Sequence, residues 1–113
     1  MSQITTHILD TALGCPAPGV TITLFHRQQD DWKKVGSSET NSDGRAPNLC
    51  PAEQVLEAGT YRMYFAISQY FDAIDAPVFY PWAEVVFNIT GDGQHYHIPL
   101  LLSPFGYSTY RGS

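Results

Sequence analysis

Apolar residues recur at every second position over most of this chain, the period of a strand with one buried face. Val20, Ile22 and Leu24 alternate with Thr21, Thr23 and Phe25, which predicts a strand from Val20 to Arg27. Val85, Phe87 and Ile89 alternate with Glu84, Val86 and Asn88, which predicts another from Ala83 to Ile89. Thr5 to Asp10, Trp32 to Ser37 and Thr60 to Ile67 read as strands too. Turn-forming residues separate them: Gly14-Cys15-Pro16-Ala17-Pro18-Gly19, Gln28 to Asp31 and Asn41-Ser42-Asp43-Gly44. Gly91-Asp92-Gly93 reads as a hairpin turn into a strand over His95 to Leu102. Gln69 to Ile74, stopped before Pro77, is the one expected helix. The irregular stretch from Ala46 to Ala58 holds at most a short helical piece at Ala52 to Leu56. Strands at this spacing predict an all-β chain folded as an antiparallel β-sandwich.

The C-terminal stretch departs from plain alternation. His95, His97, Pro99 and Leu101 fall on one face of the predicted strand, and Tyr96, Ile98, Leu100 and Leu102 on the other. The second set is a core face; the first carries two imidazoles that a structural strand does not need. Pro99 is tolerable only where its missing N–H points away from a partner. Ser108 and Tyr110 then alternate with Tyr107 and Thr109, so a strand-like pattern reaches the last residues and suggests an end that is used. On the first strand, His7 and Leu9 share the face opposite Ile8.

Composition narrows the field. The 113 residues make one domain, 1–113, without repeats or linkers. Seven Tyr, six Phe, eight Pro and nine Gly favour strands and turns over helices. A net charge of −5 with no basic cluster argues against nucleic acid and anionic membranes as partners. No apolar run approaches the roughly 20 residues of a membrane span. The start lacks the charged and apolar regions of an export signal, so a cytoplasmic location is expected. A peroxisomal one stays open although the chain lacks a terminal S-K-L. Cys15 and Cys50 are then expected as reduced structural thiols. Asn88-Ile89-Thr90 reads as strand sequence rather than a glycosylation site.

Taken singly, His7 is an ordinary polar strand residue and Arg45 a solvated turn cation. Together they allow chemistry. A histidine takes or gives a proton near neutral pH, and an arginine stabilises an oxyanion. His95-x-His97 with His7 also has the spacing of a three-histidine zinc site, although no Cys or carboxylate completes it, and no metal or other cofactor is expected.

Three segments resemble the transthyretin-like proteins that act as 5-hydroxyisourate hydrolases. They are Thr6-His7-Ile8-Leu9-Asp10-Thr11 with Gly14-Cys15-Pro16-Ala17, then Asn41-Ser42-Asp43-Gly44-Arg45, and finally His95 to Ser113 with its terminal Tyr110-Arg111-Gly112-Ser113. The resemblance spans nearly the whole chain in order. It implies an eight-stranded sandwich that pairs edge to edge into dimers. Two dimers would stack into a homotetramer around a channel lined by the first, penultimate and last strands. It implies hydrolysis of the cyclic C–N amide of 5-hydroxyisourate to 2-oxo-4-hydroxy-4-carboxy-5-ureidoimidazoline in urate degradation. The histidines matching the family's catalytic pair are His7 and His97, acting with Arg45. Tyr110 and Ser113 would shape the substrate end. His97 is preferred to His95 because it sits deeper in the strand, and His26 is expected at the surface. The rival readings are a thyroid-hormone carrier of the transthyretin type and a zinc hydrolase.

Overall fold

Burial follows the alternation. The computed structural model describes residues 2–112, with ten strands and one helix. The strands are β1 (Ile4–Thr5), β2 (Ile8–Asp10), β3 (Cys15–Pro16), β4 (Thr21–Gln28), β5 (Asp31–Glu39) and β6 (Gly59–Phe65), then β7 (Ala83–Ile89), β8 (Tyr96–His97), β9 (Leu100–Ser103) and β10 (Gly106–Thr109). Ile22 and Leu24 of β4 and Met63 and Phe65 of β6 are fully buried. They meet Ile4, Ile8, Leu100 and Leu102 from the other side in one core cluster.

One sheet has the order β5-β4-β6-β7, every neighbour antiparallel. The other has the order β10-β9-β2-β3, with β1 and β8 pairing separately. The first strand is interrupted at His7, whose backbone bridges to Arg45, and the penultimate one at Ile98-Pro99. Joining β1 to β2 and β8 to β9 leaves the eight expected strands. Both halves keep one parallel register, Thr5 with His97 and Ile8 with Leu100. The sandwich is therefore antiparallel except along this seam.

The seam explains Pro99. The amides of Tyr96, Ile98 and Leu100 each donate to the first strand, at Gln3, Thr5 and His7 (2.9 Å each). Pro99 falls between those donors, so its missing N–H faces the C-terminal tail. There the Thr109 hydroxyl donates to the Pro99 carbonyl at 2.7 Å instead.

Several expectations change. Gly91-Asp92-Gly93 is not a hairpin turn, because β7 pairs with β6 while β8 pairs with β1. It is a crossing between the two sheets. Residues 52–56 form turns rather than a helical piece: the Leu56 amide donates to the Gln3 side chain at 3.0 Å. Cys15-Pro16, expected in a turn, forms the edge strand β3 against Leu9 and Asp10. The helix α1 spans Ile67–Ala73, starting two residues earlier than predicted. It buries Ile67, Tyr70 and Phe71, and the Tyr70 hydroxyl donates to Asp10 Oδ2 at 2.6 Å. Burial, and then that bond, raise the Tyr70 pKa well above the usual phenol range. Both cysteines are free thiols.

Candidate active site

Arg45 is placed by the turn before it. Asn41 Oδ1 accepts from the amides of Asp43 (2.9 Å) and Arg45 (3.2 Å), and the Asn41 amide donates to the Arg45 carbonyl (2.9 Å). Gly44 closes the turn at φ +74°, and its carbonyl accepts from the Ile8 amide at 2.8 Å. A Cβ at Gly44 would sit 2.5 Å from the Ile8 carbonyl oxygen. The Asn-Ser-Asp-Gly sequence is thus a clip that fastens Arg45 beside His7, where the two residues form an antiparallel bridge.

His97 comes from the opposite side of the seam. It is half-buried, as is His7, while His95 is exposed. A concavity of about 600 Å³ opens beside His95 and His97. Arg45, His95 and His97 line it with Thr5, Thr6 and Asn41. His7 is not part of that wall but stands at its margin. Its charge still reaches His97: burial first, then the charges of Arg45, His95 and His7, hold the His97 pKa below the ordinary histidine value. A neutral imidazole at pH 7, beside a fixed cation, is ready to accept a proton from water.

Thr5 belongs to this site and was not singled out in the sequence. Its hydroxyl lies 2.8 Å from His97 Nδ1 and 3.0 Å from His95 Nε2. Its one sequence signal is the strand face it shares with His7; the register that pairs it with His97 appears only in the fold.

The tail also arrives here. The Gly112 amide donates to the His97 carbonyl at 2.7 Å. Thr109 opposite Leu100 and Gly112 opposite His97 belong to one register, which sets Tyr110 opposite Pro99. Tyr110 is exposed and borders a different groove, with Val86, Phe87 and Asn88, rather than the His97 concavity. Arg111 lies over the Tyr96 ring, 4.6 Å from its centroid. Ser113 falls outside the described residues. His26, expected at the surface, is half-buried and stacked on Tyr61 with ring centroids 4.3 Å apart.

The zinc reading fits this geometry poorly. His95 and His97 point ring nitrogens at one hydroxyl, with ring centroids 6.5 Å apart. Among the described residues, no three His, Cys, Asp or Glu side chains are grouped so as to hold a metal ion. Nor is any helix among them long and apolar enough to cross a membrane.

Two facing sheets of this topology, with two imidazoles and a guanidinium gathered on an outer face, define a transthyretin-type sandwich. Residues 4–112 match the family described as HIUase/Transthyretin, and the chain belongs to that family. A 5-hydroxyisourate hydrolase of Mus musculus is 45% identical over 99% of this chain and 96% of its own length. The structure of sea bream transthyretin in complex with thyroxine superposes with a TM-score of 0.90 at 34% identity, covering 98% of this chain and 95% of that one. The structure of Klebsiella pneumoniae 5-hydroxyisourate hydrolase superposes with a TM-score of 0.81, also at 34% identity, covering 97% and 98%.

Proposed function

We propose that this protein hydrolyses the cyclic C–N amide bond of 5-hydroxyisourate, with His97, Arg45 and His7 as its catalytic residues. The observation that carries the reading is a half-buried, pKa-lowered His97 sharing one concavity with Arg45, to whose backbone His7 is bridged. The name of the mouse relative, 45% identical over nearly the full chain, supports the same substrate.

In this mechanism His97 takes a proton from water as the water oxygen bonds to the amide carbonyl carbon. The carbonyl oxygen becomes an oxyanion, and the Arg45 guanidinium stabilises it. Collapse breaks the C–N bond, and the leaving nitrogen takes the proton from the imidazolium. His7, fixed beside Arg45 by the backbone bridge, holds the substrate against the guanidinium. No covalent intermediate is needed. The expected product is 2-oxo-4-hydroxy-4-carboxy-5-ureidoimidazoline.

Hydrolysis is preferred to hormone carriage because fold likeness does not decide function. The superposition with the carrier complex concerns the sandwich. Two imidazoles and a guanidinium on one wall are the groups that proton transfer and oxyanion stabilisation call for.

The reading includes a homotetramer whose stacked dimers bring Tyr110 and Ser113 of the tail to the substrate. Its support is exposed apolar surface: Phe79, Tyr80, Phe105 and Tyr107 form a chain of aromatic contacts, and Phe79 and Phe105 are each more than 60% exposed. The cytoplasm is the expected compartment, in keeping with two free thiols. The test is to add protein to freshly made 5-hydroxyisourate and follow its ultraviolet absorbance. Decay no faster than the spontaneous rate would remove the hydrolase reading.

A further inference from the structure

We propose that Thr5 is a positioning residue that fixes the tautomer of His97, and that His95 in turn holds the Thr5 hydroxyl in the required orientation. The proposal rests on the hydrolase reading above and adds to it a reason for the second histidine.

The geometry is set by backbone. Thr5 and His97 are direct partners in the parallel pair β1–β8, with the amide of Ile98 bonded to the Thr5 carbonyl at 2.9 Å. Their side chains therefore project together on the face away from the core. The Thr5 hydroxyl lies between two imidazoles whose planes are 17° apart, within 3.0 Å of a nitrogen of each.

A hydroxyl has one hydrogen and two lone pairs, so it donates to at most one of the two rings, and when it donates to one it accepts from the other. Two arrangements satisfy all three groups. In one, Thr5 donates to His97 Nδ1; the neutral His97 ring then carries its proton on Nε2, and no basic nitrogen is left for water. In the other, His97 Nδ1–H donates to Thr5 and Thr5 donates to His95 Nε2. His97 Nε2, without a hydrogen-bond partner among the described residues, then keeps its lone pair. Of these two, only the second makes His97 a base.

His95 gives the second arrangement its acceptor. Without it the Thr5 hydrogen turns to His97 Nδ1 or to solvent, and the tautomer shifts part of the way. The charged groups facing His97 are Arg45, His7 and His95. All disfavour the imidazolium, but charge does not select between the two neutral tautomers; the hydroxyl, with His95 as its acceptor, does.

The experiment has a readout that needs no turnover. Ring nitrogen chemical shifts of 15N-labelled protein, taken above the His97 titration, report which nitrogen carries the proton. The expected result is Nδ1–H with bare Nε2 in the unaltered protein. Thr5→Val, which keeps the shape and removes the hydroxyl, should move His97 to Nε2–H. It should also lower kcat/KM about tenfold or more, chiefly in kcat, because a wrong tautomer leaves the ring in place but not its base. Thr5→Ser should restore both. His95→Ala should shift the tautomer part of the way. Nε2–H in the unaltered protein, or an unchanged tautomer or kcat in Thr5→Val, overturns the proposal. The expected tautomer in a protein that does not accelerate 5-hydroxyisourate decay would instead remove the hydrolase reading and leave the positioning contact standing.

Discussion

Gly112 lies flat against His97. Its amide holds the His97 carbonyl, and a Cβ in its place would come within 2.7 Å of the imidazole Cδ2. The penultimate residue of the chain is therefore glycine for a steric reason. Gly112→Ala should push the ring off its Thr5 contact. The expected result is a fall in kcat/KM of about tenfold or more with an unchanged circular dichroism spectrum, since a small misplacement of a catalytic group is costly while the core is untouched.

Removing any member of the catalytic set should be worse. His7→Ala, Arg45→Ala and His97→Ala should each lower kcat/KM by roughly 10²-fold or more, the scale for losing substrate positioning, oxyanion help or proton transfer. His95→Ala and His26→Ala should cost much less. Full activity in His97→Ala would show that another base is used.

The pH profile follows from the electrostatics. Burial and neighbouring positive charge hold His97 below the ordinary histidine value, so the base form persists to lower pH. The acid limb of kcat/KM should therefore fall at a pH below 6.5, the unperturbed histidine value. Arg45→Gln removes a cation that disfavours the imidazolium, so the His97 pKa should rise and the limb should move to higher pH. A limb that stays put or moves down would show that Arg45 does not face His97 in solution.

Gly44 offers a stability test. Alanine there would meet the Ile8 carbonyl and also hold a positive φ. A cost of about 1–3 kcal/mol is expected, the range for backbone strain of this kind, measured by urea denaturation. Residual enzyme should show a raised KM, because the clip that places Arg45 is the part displaced.

The tail and the assembly can be tested together. Light scattering should give four times the 12.6 kDa chain mass. Deleting residues 110–113 should leave that mass and the circular dichroism spectrum intact while abolishing turnover. A truncated protein with full rates would assign Tyr110 and Ser113 no part in the site.

Much of this was legible in the chain. The two-residue period of Val20 to Leu24 and of Val85 to Ile89 marked the core faces, and the same period set His7 and His97 away from the core. Partner choice was not legible. Gly91-Asp92-Gly93 has hairpin chemistry, yet the strands it joins lie in different sheets, because local turn propensity does not say which edge is free. Residues 52–56 have helical propensity, but the Leu56 amide finds its acceptor on Gln3, a contact fixed only by the tertiary fold. Thr5 was hidden for the same reason: its importance lies in a register with a residue 92 positions away.

The proline in the penultimate strand gives its two edges unequal strength. Toward the N-terminal strand every available amide is engaged, at Tyr96, Ile98 and Leu100. Toward the tail the described hydrogen bonds to residues 97–99 are one side-chain bond to Pro99 and the Gly112 bond to His97. One edge is a zip and the other a latch with two hooks. The tail can swing open at the price of those hooks and of the Arg111 contacts with Gln94 and the Tyr96 ring while the zip stays shut, so the Gly112 amide should exchange with solvent faster than those of Ile98 and Leu100. The segment that closes over the reacting histidine is thus detachable without unfolding the strand that carries it.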